Sequence, residues 1–259
     1  MKKTFTMLLP ACCLLNAALN IPQPVLDAFE PHSFQATHDY SLNYRLLSPL
    51  TVEQTAKYPL VIFLHGAGER GQDNAAQLYH VMPKFAALET RKAFPCYVVA
   101  PQCPAEQQWV NTPWSRLKHD MPETPSQSMD ATIKLIDDLI QHYPIDTARL
   151  YVIGLSMGGY GTWDLIMRYP KRFAAAVPIC GGADIDLADR IKDMPIWFFH
   201  GDSDPAVPTF RARSMNIALR ALGVTPKYTE FTRCGHDAWT PAMNTPELLP
   251  WLFAQHLTK

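Results

Sequence analysis

Residues 150–168 read LYVIGLSMGGYGTWDLIMR, a continuous apolar run, then a serine between glycines, then a helical pattern. The apolar run at 150–153 is typical of a strand that is buried on both faces of a sheet. Gly154-Leu155-Ser156-Met157-Gly158 matches the pattern GxSxG, whose small residues allow a turn sharp enough to push the serine hydroxyl outward. We therefore interpret Ser156 as a nucleophile; the alternative is a serine with a purely structural role in a turn.

Short apolar runs alternate with helical patterns along the rest of the chain, which is typical of βαβ units around a mostly parallel sheet. The predicted strands are residues 32–37, 42–47, 60–64, 96–100, 150–154, 174–179, 196–199 and 228–231. The first two can pair as a hairpin at the sheet edge. Predicted helices include one centred on residues 133–140, one at 210–222 and one at 247–257. The sequence thus predicts an α/β protein with about eight strands, helices on both faces and no large cap domain.

The N-terminus begins with Met1-Lys2-Lys3 and a largely apolar stretch at 5–19, as in a secretion signal. We predict a signal peptide at residues 1–20, one domain at 21–259, and export to the periplasm or the exterior. Lipid attachment at Cys12 is a less favoured possibility. The remaining alternative is an apolar first helix of a cytoplasmic protein.

Composition excludes several classes of function. The formal net charge is −1 and 18% of the residues are charged, so the sequence indicates neither a nucleic-acid partner nor disorder. No later stretch approaches the ~18 apolar residues that span a bilayer, so we predict no transmembrane segment in the mature chain. Neither an HExxH motif nor a CxxC pair occurs, so no metal site is expected. Cys96, Cys103, Cys180 and Cys234 are predicted to be free thiols.

A serine hydroxyl is a weak nucleophile near neutral pH and needs a base, which a third group orients. In hydrolases whose GxSxG motif follows a strand, the chain order is serine, acid, histidine. Of the nine histidines, only His236 and His256 follow a plausible acid beyond the strand at 196–199. His256 lies near the end of the predicted last helix, whereas His236 lies in a loop just after the last strand. We therefore predict His236 as the base.

The acid is expected in the loop after the penultimate strand, where residues 200–208 read HGDSDPAVP. Asp202 and Asp204 compete for the role. Asp202 is next to a glycine and is typical of a turn former, whereas Asp204 lies further into the loop and precedes a proline that can project its carboxylate. We favour Asp204.

The negative oxygen of a tetrahedral intermediate needs backbone N–H donors aimed at it. Met157 N–H is the first candidate. The second is Ala67 N–H in residues 65–71, HGAGERG, which we call the oxyanion loop and whose glycines permit close backbone approach. His65 is interpreted as a packing and hydrogen-bonding residue. Glu69 and Arg70 are interpreted as an ion pair that braces the loop, with contact to a polar substrate group as the alternative.

Aromatic residues are expected at the rim of the site. Trp239 follows His236 closely, and Trp109 and Trp114 lie in the long connection between the strands at 96–100 and 150–154. We predict Trp239 and Trp109 as substrate-binding residues. The alternative is that these tryptophans belong to the core.

Several segments together resemble bacterial esterases of the phospholipase/carboxylesterase and dienelactone-hydrolase-like group, which includes predicted peptidases of prolyl oligopeptidase type and has feruloyl esterases as relatives. The segments are 64–71, 100–104, 154–158, 200–208 and 235–239. The resemblance runs from about Tyr58 to the C-terminus. It implies an α/β-hydrolase fold, hydrolysis of short-acyl or aromatic carboxylic esters as small-molecule substrates, and no cofactor.

The sequence departs from parts of that group. Dienelactone hydrolases proper use a cysteine nucleophile, so their substrate does not carry over to a chain with Ser156. Gated oligopeptidases have a large N-terminal propeller for which this chain has no room. A serine peptidase or amidase remains one alternative, and a non-catalytic binding protein with a hydrolase fold is the other.

Overall fold

The computed structural model describes residues 19–257, which are built around one eight-stranded sheet. The strand order is β1-β2-β4-β3-β5-β6-β7-β8. Strand β2 is antiparallel to both of its neighbours, and all other neighbouring strands are parallel. The strands are β1 Glu30–Thr37, β2 Tyr40–Leu47, β3 Tyr58–Leu64, β4 Tyr97–Pro101, β5 Ile145–Leu155, β6 Ala175–Ile179, β7 Trp197–Gly201 and β8 Lys227–Phe231. The predicted fold class, including the edge hairpin, is confirmed.

Helices in the connections cover the sheet. The α-helices are α1 Gln23–Ala28, α2 Met82–Ala86, α3 Leu88–Ala93, α4 Gln127–His142, α5 Met157–Arg168, α6 Phe210–Ala221, α7 Trp239–Met243 and α8 Leu248–Phe253. Short 3₁₀ helices are found at Ala67–Glu69, Ala76–Leu78 and Ile185–Ile191. The last of these lies in the short connection between β6 and β7, which contains no other helix.

The core is divided by the sheet into two layers. Leu60, Ile62 and Leu64 of β3 are buried in the layer that also contains apolar residues of α4, α5 and α6. Val61 and Phe63 of the same strand are buried in the opposite layer with α1, α2 and α8. Because successive side chains of a strand point to opposite faces, a strand covered by helices on both sides is apolar at every position. This burial accounts for the uninterrupted apolar runs in the sequence.

The end of the chain departs from the predicted pattern. Helix α8 ends at Phe253, so the predicted extent of the last helix, residues 247–257, is wrong. Beyond the helix, Leu257 N–H donates to Ala148 O, and Gln255 O accepts from the Tyr151 hydroxyl. These two bonds hold residues 255–257 against β5 in a non-helical conformation, which the local sequence pattern does not predict.

Two other predictions concern the termini and the thiols. The predicted signal peptide at residues 1–20 lies almost wholly outside the described residues, as does Cys12. Among residues 19–257, no helix combines the length and the hydropathy needed to cross a membrane. The cysteines of that part, Cys96, Cys103, Cys180 and Cys234, are free thiols as predicted.

Helix α5 approaches β3 so closely that glycine is needed at the contact. A Cβ atom at Gly158 would lie 1.8 Å from the carbonyl oxygen of Leu64. A Cβ atom at Gly154 would lie 2.1 Å from the carbonyl oxygen of Gly158. Both obstacles are backbone atoms, which cannot move aside without shifting the strand or the helix. The two glycines of the GxSxG pattern are therefore steric requirements of the turn.

Replacing Gly158 by alanine is expected to destabilise the protein by at least about 3 kcal/mol, since the overlap forces the helix off the sheet. In a domain of this size that loss corresponds to a fall of about 6 to 12 °C in the thermal midpoint. Gly68→Ala is the matched control, because a Cβ atom at Gly68 meets nothing within 4 Å. Calorimetry on both variants checks the prediction, and equal midpoints would contradict it.

Candidate active site

Ser156 lies in the sharp turn between β5 and α5. Its backbone has φ 53° and ψ −118°, a strained conformation for a residue with a side chain. Two backbone bonds hold the turn: Ser156 N–H donates to Ile179 O at 2.9 Å, and Ser156 O accepts from Tyr160 N–H at 3.1 Å. The strain is therefore balanced by neighbouring strand β6 and by the first turn of the helix.

The side chains of Ser156, His236 and Asp204 form a continuous hydrogen-bonded series. His236 Nε2 lies 2.8 Å from Ser156 Oγ, and His236 Nδ1 lies 2.7 Å from Asp204 Oδ2. Since an ionised carboxylate only accepts, Nδ1 carries the proton and Nε2 is free to accept from the serine hydroxyl. The three predicted residues, which come from separate loops, are thus brought into the arrangement expected of a nucleophile, a base and an orienting acid.

Asp204 is held as a carboxylate in a buried position. Its side chain has no exposed surface, and its Oδ1 accepts from the backbone N–H groups of Ala206 and Val207 at 2.8 and 2.9 Å. Burial by itself raises the pKa of Asp204, but interactions with His200, His236 and those two N–H groups outweigh it and bring the pKa well below its usual value. Asp204 is therefore ionised at neutral pH.

The rival residues are not part of this series. Asp202 accepts from the neighbouring Ser203 hydroxyl at 2.7 Å. His256 follows the end of α8 and does not lie in the loop of the base. The hydrogen-bonded series therefore contains Asp204 and His236 and neither of their two rivals.

The oxyanion loop lies beside Ser156. A Cβ atom built on Gly66 would be 3.6 Å from Ser156 Cβ, so the two backbones are neighbours. Ala67 is the first residue of a 3₁₀ helix, and Met157 is the first residue of α5. The first N–H groups of a helix lack an intrahelical acceptor, so both residues have the local structure of the donors that the sequence predicted.

His65 organises the base of the oxyanion loop, as predicted. Its Nδ1 lies 2.6 Å from Gly66 O, and its Nε2 accepts from Cys103 N–H at 2.9 Å. Complete burial lowers the pKa of His65 to about 4, despite the opposing effect of Gly66 O, so the ring is neutral and fixed in one tautomer. The histidine therefore joins the loop after β3 to the segment after β4.

The predicted aromatic rim is partly wrong. Trp109 is completely buried and donates from Nε1 to His65 O at 2.9 Å, so it supports the oxyanion loop from below and offers no surface to a substrate. Trp239, by contrast, is half-buried and packs edge-on against the His236 ring, with centroids 5.3 Å apart. Trp114 is also half-buried, and its backbone carbonyl accepts from the Tyr160 hydroxyl.

The predicted Glu69–Arg70 ion pair is also wrong. Arg70 donates to the backbone carbonyls of Ala67 and Gln107 instead. Glu69 Oε1 lies 3.3 Å from His80 Nε2. His80 was not singled out by the sequence, because no motif contains it and it is separated from Glu69 by a loop. The acidic Glu69 in the glycine-rich oxyanion loop was the sequence signal, because its carboxylate needs a cation or a donor beside it wherever the loop is buried.

Two groups of side chains could place metal-ligating atoms within 4.8 Å of one another, among the residues that the structure describes. One consists of Cys180, Asp204 and His236, and the other of Asp120, Asp184 and Asp186. In the first group, Asp204 and His236 are already bonded to each other, and burial raises the pKa of the Cys180 thiol. A thiol that resists deprotonation is a poor metal ligand, so these contacts support a role for the aspartate and the histidine without a metal.

Comparison with known proteins identifies the family. The phospholipase/carboxylesterase family model matches residues 50–246, which is most of the chain. The crystal structure of a thermostable esterase superposes with a TM-score of 0.82 and 40% identity, covering 90% of this chain and 64% of that protein. The chain therefore belongs to the phospholipase/carboxylesterase family and is a carboxylesterase-like member with the α/β-hydrolase fold.

More distant relatives differ in length. A rice protein, Oryza sativa probable inactive carboxylesterase Os04g0669700, is 26% identical over 192 residues, covering 68% of this chain and 77% of its own. An uncharacterised secreted protein of Arthroderma benhamiae is 23% identical over 232 residues, covering 76% of this chain. This chain spans only 23% of the length of the fungal protein. The similarity therefore covers most of the rice protein but only a part of the fungal protein.

Asp204→Asn is expected to lower kcat/KM for an ester about 10⁴-fold, because an amide can donate to His236 and favours the wrong tautomer of the base. The measurement is the initial rate with an aryl acetate at pH 7. Asp202→Asn is the matched control, since Asp202 has no contact with His236 and should retain nearly full activity. Equal losses in the two variants would contradict the assignment of the acid.

The lowered pKa of Asp204 also predicts how stability depends on pH. A carboxylate whose pKa is lowered by folding stabilises the protein above the pKa of the unfolded chain, about 3.9, and loses that effect as the pH falls below this value. We expect the free energy of unfolding of wild type to exceed that of Asp204→Asn by about 1.5 to 3 kcal/mol at pH 7. Chemical unfolding at pH 7 and pH 3 should show the difference shrinking at the lower pH; a difference that grows would be inconsistent with an ionised Asp204.

Proposed function

We propose that this protein is a serine hydrolase that cleaves short-acyl or aromatic carboxylic esters through an acyl-enzyme. Ser156 is the nucleophile, His236 the base and Asp204 the acid that orients it. The observation that carries the proposal is the pair of contacts at His236, 2.8 Å to Ser156 Oγ and 2.7 Å to Asp204 Oδ2. Both lie within the distance at which a proton passes between a base and its partner.

In the first half of the reaction, Ser156 Oγ attacks the ester carbonyl carbon while its proton passes to His236 Nε2. The carbonyl oxygen becomes negative and accepts from the N–H groups of Met157 and Ala67, each worth about 3 to 4 kcal/mol of transition-state stabilisation. Collapse of the intermediate breaks the bond to the alcohol oxygen, which takes the proton from His236. The buried carboxylate of Asp204 stabilises the imidazolium that forms between these steps.

In the second half, water replaces the alcohol. His236 takes a proton from the water as its oxygen attacks the acyl carbon, and the same N–H donors receive the negative oxygen. Breaking the bond to Ser156 Oγ releases the carboxylic acid, and His236 returns the proton to the serine. The cycle uses only these three side chains, the two backbone N–H donors and water, which is why we propose a hydrolase without a cofactor.

The surroundings of the triad support small or aromatic esters. The connection between β6 and β7 holds only a short 3₁₀ helix, so among residues 19–257 no cap domain is inserted there. The His236 side chain is 25% exposed, which leaves the base accessible from solvent. The half-buried Trp239 packs edge-on against this ring. We propose Trp239 as a substrate-binding residue that contacts an aromatic or acyl group.

Two alternative functions are a serine peptidase or amidase and a non-catalytic binding protein, and substrate assays distinguish them from an esterase. A serine peptidase or amidase would use the same side chains on a poorer leaving group. A non-catalytic binding protein would not require a hydroxyl, an imidazole and a buried carboxylate in one hydrogen-bonded series. The contacts at His236 therefore favour turnover, and comparison of ester and amide substrates distinguishes the two enzyme classes.

We also propose that the protein is exported, as the N-terminal charge and apolar pattern suggest. The similarity to a secreted protein of Arthroderma benhamiae supports the proposal. Expression of the full chain followed by N-terminal sequencing of the mature protein tests it. A mature form that begins near residue 21 is expected, and recovery of a chain that still begins at Met1 from the cytoplasm would refute export.

Ser156→Ala is expected to lower ester hydrolysis by at least about 10⁴-fold without unfolding the protein, since only the attacking oxygen is removed. A fluorophosphonate probe with peptide mapping should label wild type at Ser156 and leave the variant unlabelled. The substrates are aryl esters from acetate to long acyl chains, methyl ferulate and a matched peptidyl anilide. Labelling at another residue, or no hydrolysis by a wild type that is folded, would overturn the proposal.

A further inference from the structure

We infer that His80 is a positioning residue that links the oxyanion loop to the ring flanking the base. The inference rests on the proposed ester hydrolysis and adds a residue that neither the sequence motifs nor the triad contain. His80 lies after the 3₁₀ helix Ala76–Leu78, in the connection between β3 and α2. It contacts Glu69 of the oxyanion loop on one side and Trp239, next to His236, on the other.

The tautomer of His80 follows from its two partners. Trp239 Nε1 lies 3.1 Å from His80 Nδ1, and an indole nitrogen can only donate, so Nδ1 is the acceptor. In the neutral ring the proton must then be on Nε2, which lies 3.3 Å from Glu69 Oε1. The ring therefore accepts from the indole and presents its N–H to the carboxylate, so that both nitrogens are used in one fixed orientation.

Glu69 needs this partner because it is a buried carboxylate. Its side chain is 7% exposed, and its Oε2 has no hydrogen-bond partner within the described residues. Burial raises the pKa of Glu69, but interactions with His80 and His65 and the backbone N–H of Gly66 outweigh it, so the pKa falls below its usual value. The group is thus an anion, and the His80 N–H disperses part of its charge.

The carboxylate also touches the backbone that must receive the reaction's negative oxygen. A Cβ atom built on Gly66 would lie 2.9 Å from Glu69 Oε2 and 3.6 Å from Ser156 Cβ. Gly66 therefore lies next to both the carboxylate and the serine. A bare negative charge this close opposes the charge that develops on the substrate oxygen. Holding Glu69 against His80 therefore both shapes the oxyanion loop and limits this repulsion.

On its other side, His80 fixes the indole that packs on the base. The His80 and Trp239 rings have centroids 4.9 Å apart, and the Trp239 and His236 rings meet edge-on at 5.3 Å and 88°. An indole without its hydrogen bond could rotate and leave the imidazole with more freedom. Two parts of the reaction, the donor loop and the base, thereby depend on one side chain that reaches neither Ser156 nor the substrate oxygen.

The test compares replacements of His80 by leucine and by glutamine. Glutamine retains one acceptor for the Trp239 indole and one donor for Glu69, whereas leucine retains neither. We expect His80→Leu to lower kcat about tenfold with KM changed less than about twofold, because the loss is one of alignment. His80→Gln should recover most of kcat. His38→Leu, which changes a histidine that is 97% exposed, is the matched control.

The readouts are kcat and KM for an aryl acetate, the rate of fluorophosphonate labelling at Ser156, and the thermal midpoint. Trp239→Phe provides a second route if His80→Leu does not fold, since it keeps the ring and removes the same hydrogen bond. It should lower kcat in the same direction. Unchanged kcat in the folded His80→Leu or Trp239→Phe variant, or equal losses for leucine and glutamine, would overturn the inference. If wild type itself neither hydrolyses esters nor reacts with the probe, it is the proposed function that fails.

Discussion

Contact between the backbones of α5 and β3 is the constraint on which the site depends. The strained turn at Ser156 exists only because the helix can start directly above the strand ends, and the helix reaches that position because Gly158 brings no Cβ atom against Leu64 O. With the turn in place, the serine side chain projects from the carboxyl edge of the sheet. The first N–H groups of α5 then face the same space.

The parallel order of the central strands brings the other functional side chains to that edge. Ser156 follows β5, Asp204 follows β7 and His236 follows β8, and in a parallel sheet the carboxyl ends of these strands lie together. The oxyanion loop follows β3, which pairs directly with β5. Ser156 and His236, which are 80 positions apart in the chain, therefore meet because of strand order, and each loop needs only to direct one group inward.

Two sets of polar contacts hold the oxyanion loop in place. His65 and Trp109 hold the oxyanion loop from beneath, and both are completely buried. Glu69 and His80 hold it from the side, where His80 is 24% exposed. In each case a histidine has both ring nitrogens engaged, so its orientation is fixed. Such fixed donors and acceptors keep the loop in one arrangement, as the proposed stabilisation of a negative oxygen requires.

From sequence alone, the apolar runs, the GxSxG turn and the order serine, aspartate, histidine were sufficient to predict the α/β fold, the eight strands and the three side chains that the structure places in one hydrogen-bonded series. These features are local or follow from chain order, so periodicity and turn chemistry report them. Only the tertiary structure revealed that Trp109 is buried under the oxyanion loop, that Glu69 faces His80 and not Arg70, and that the last helix ends at Phe253. Each of these depends on which distant group fills the space beside a side chain or a chain end, and that is decided by packing between segments that the sequence keeps far apart.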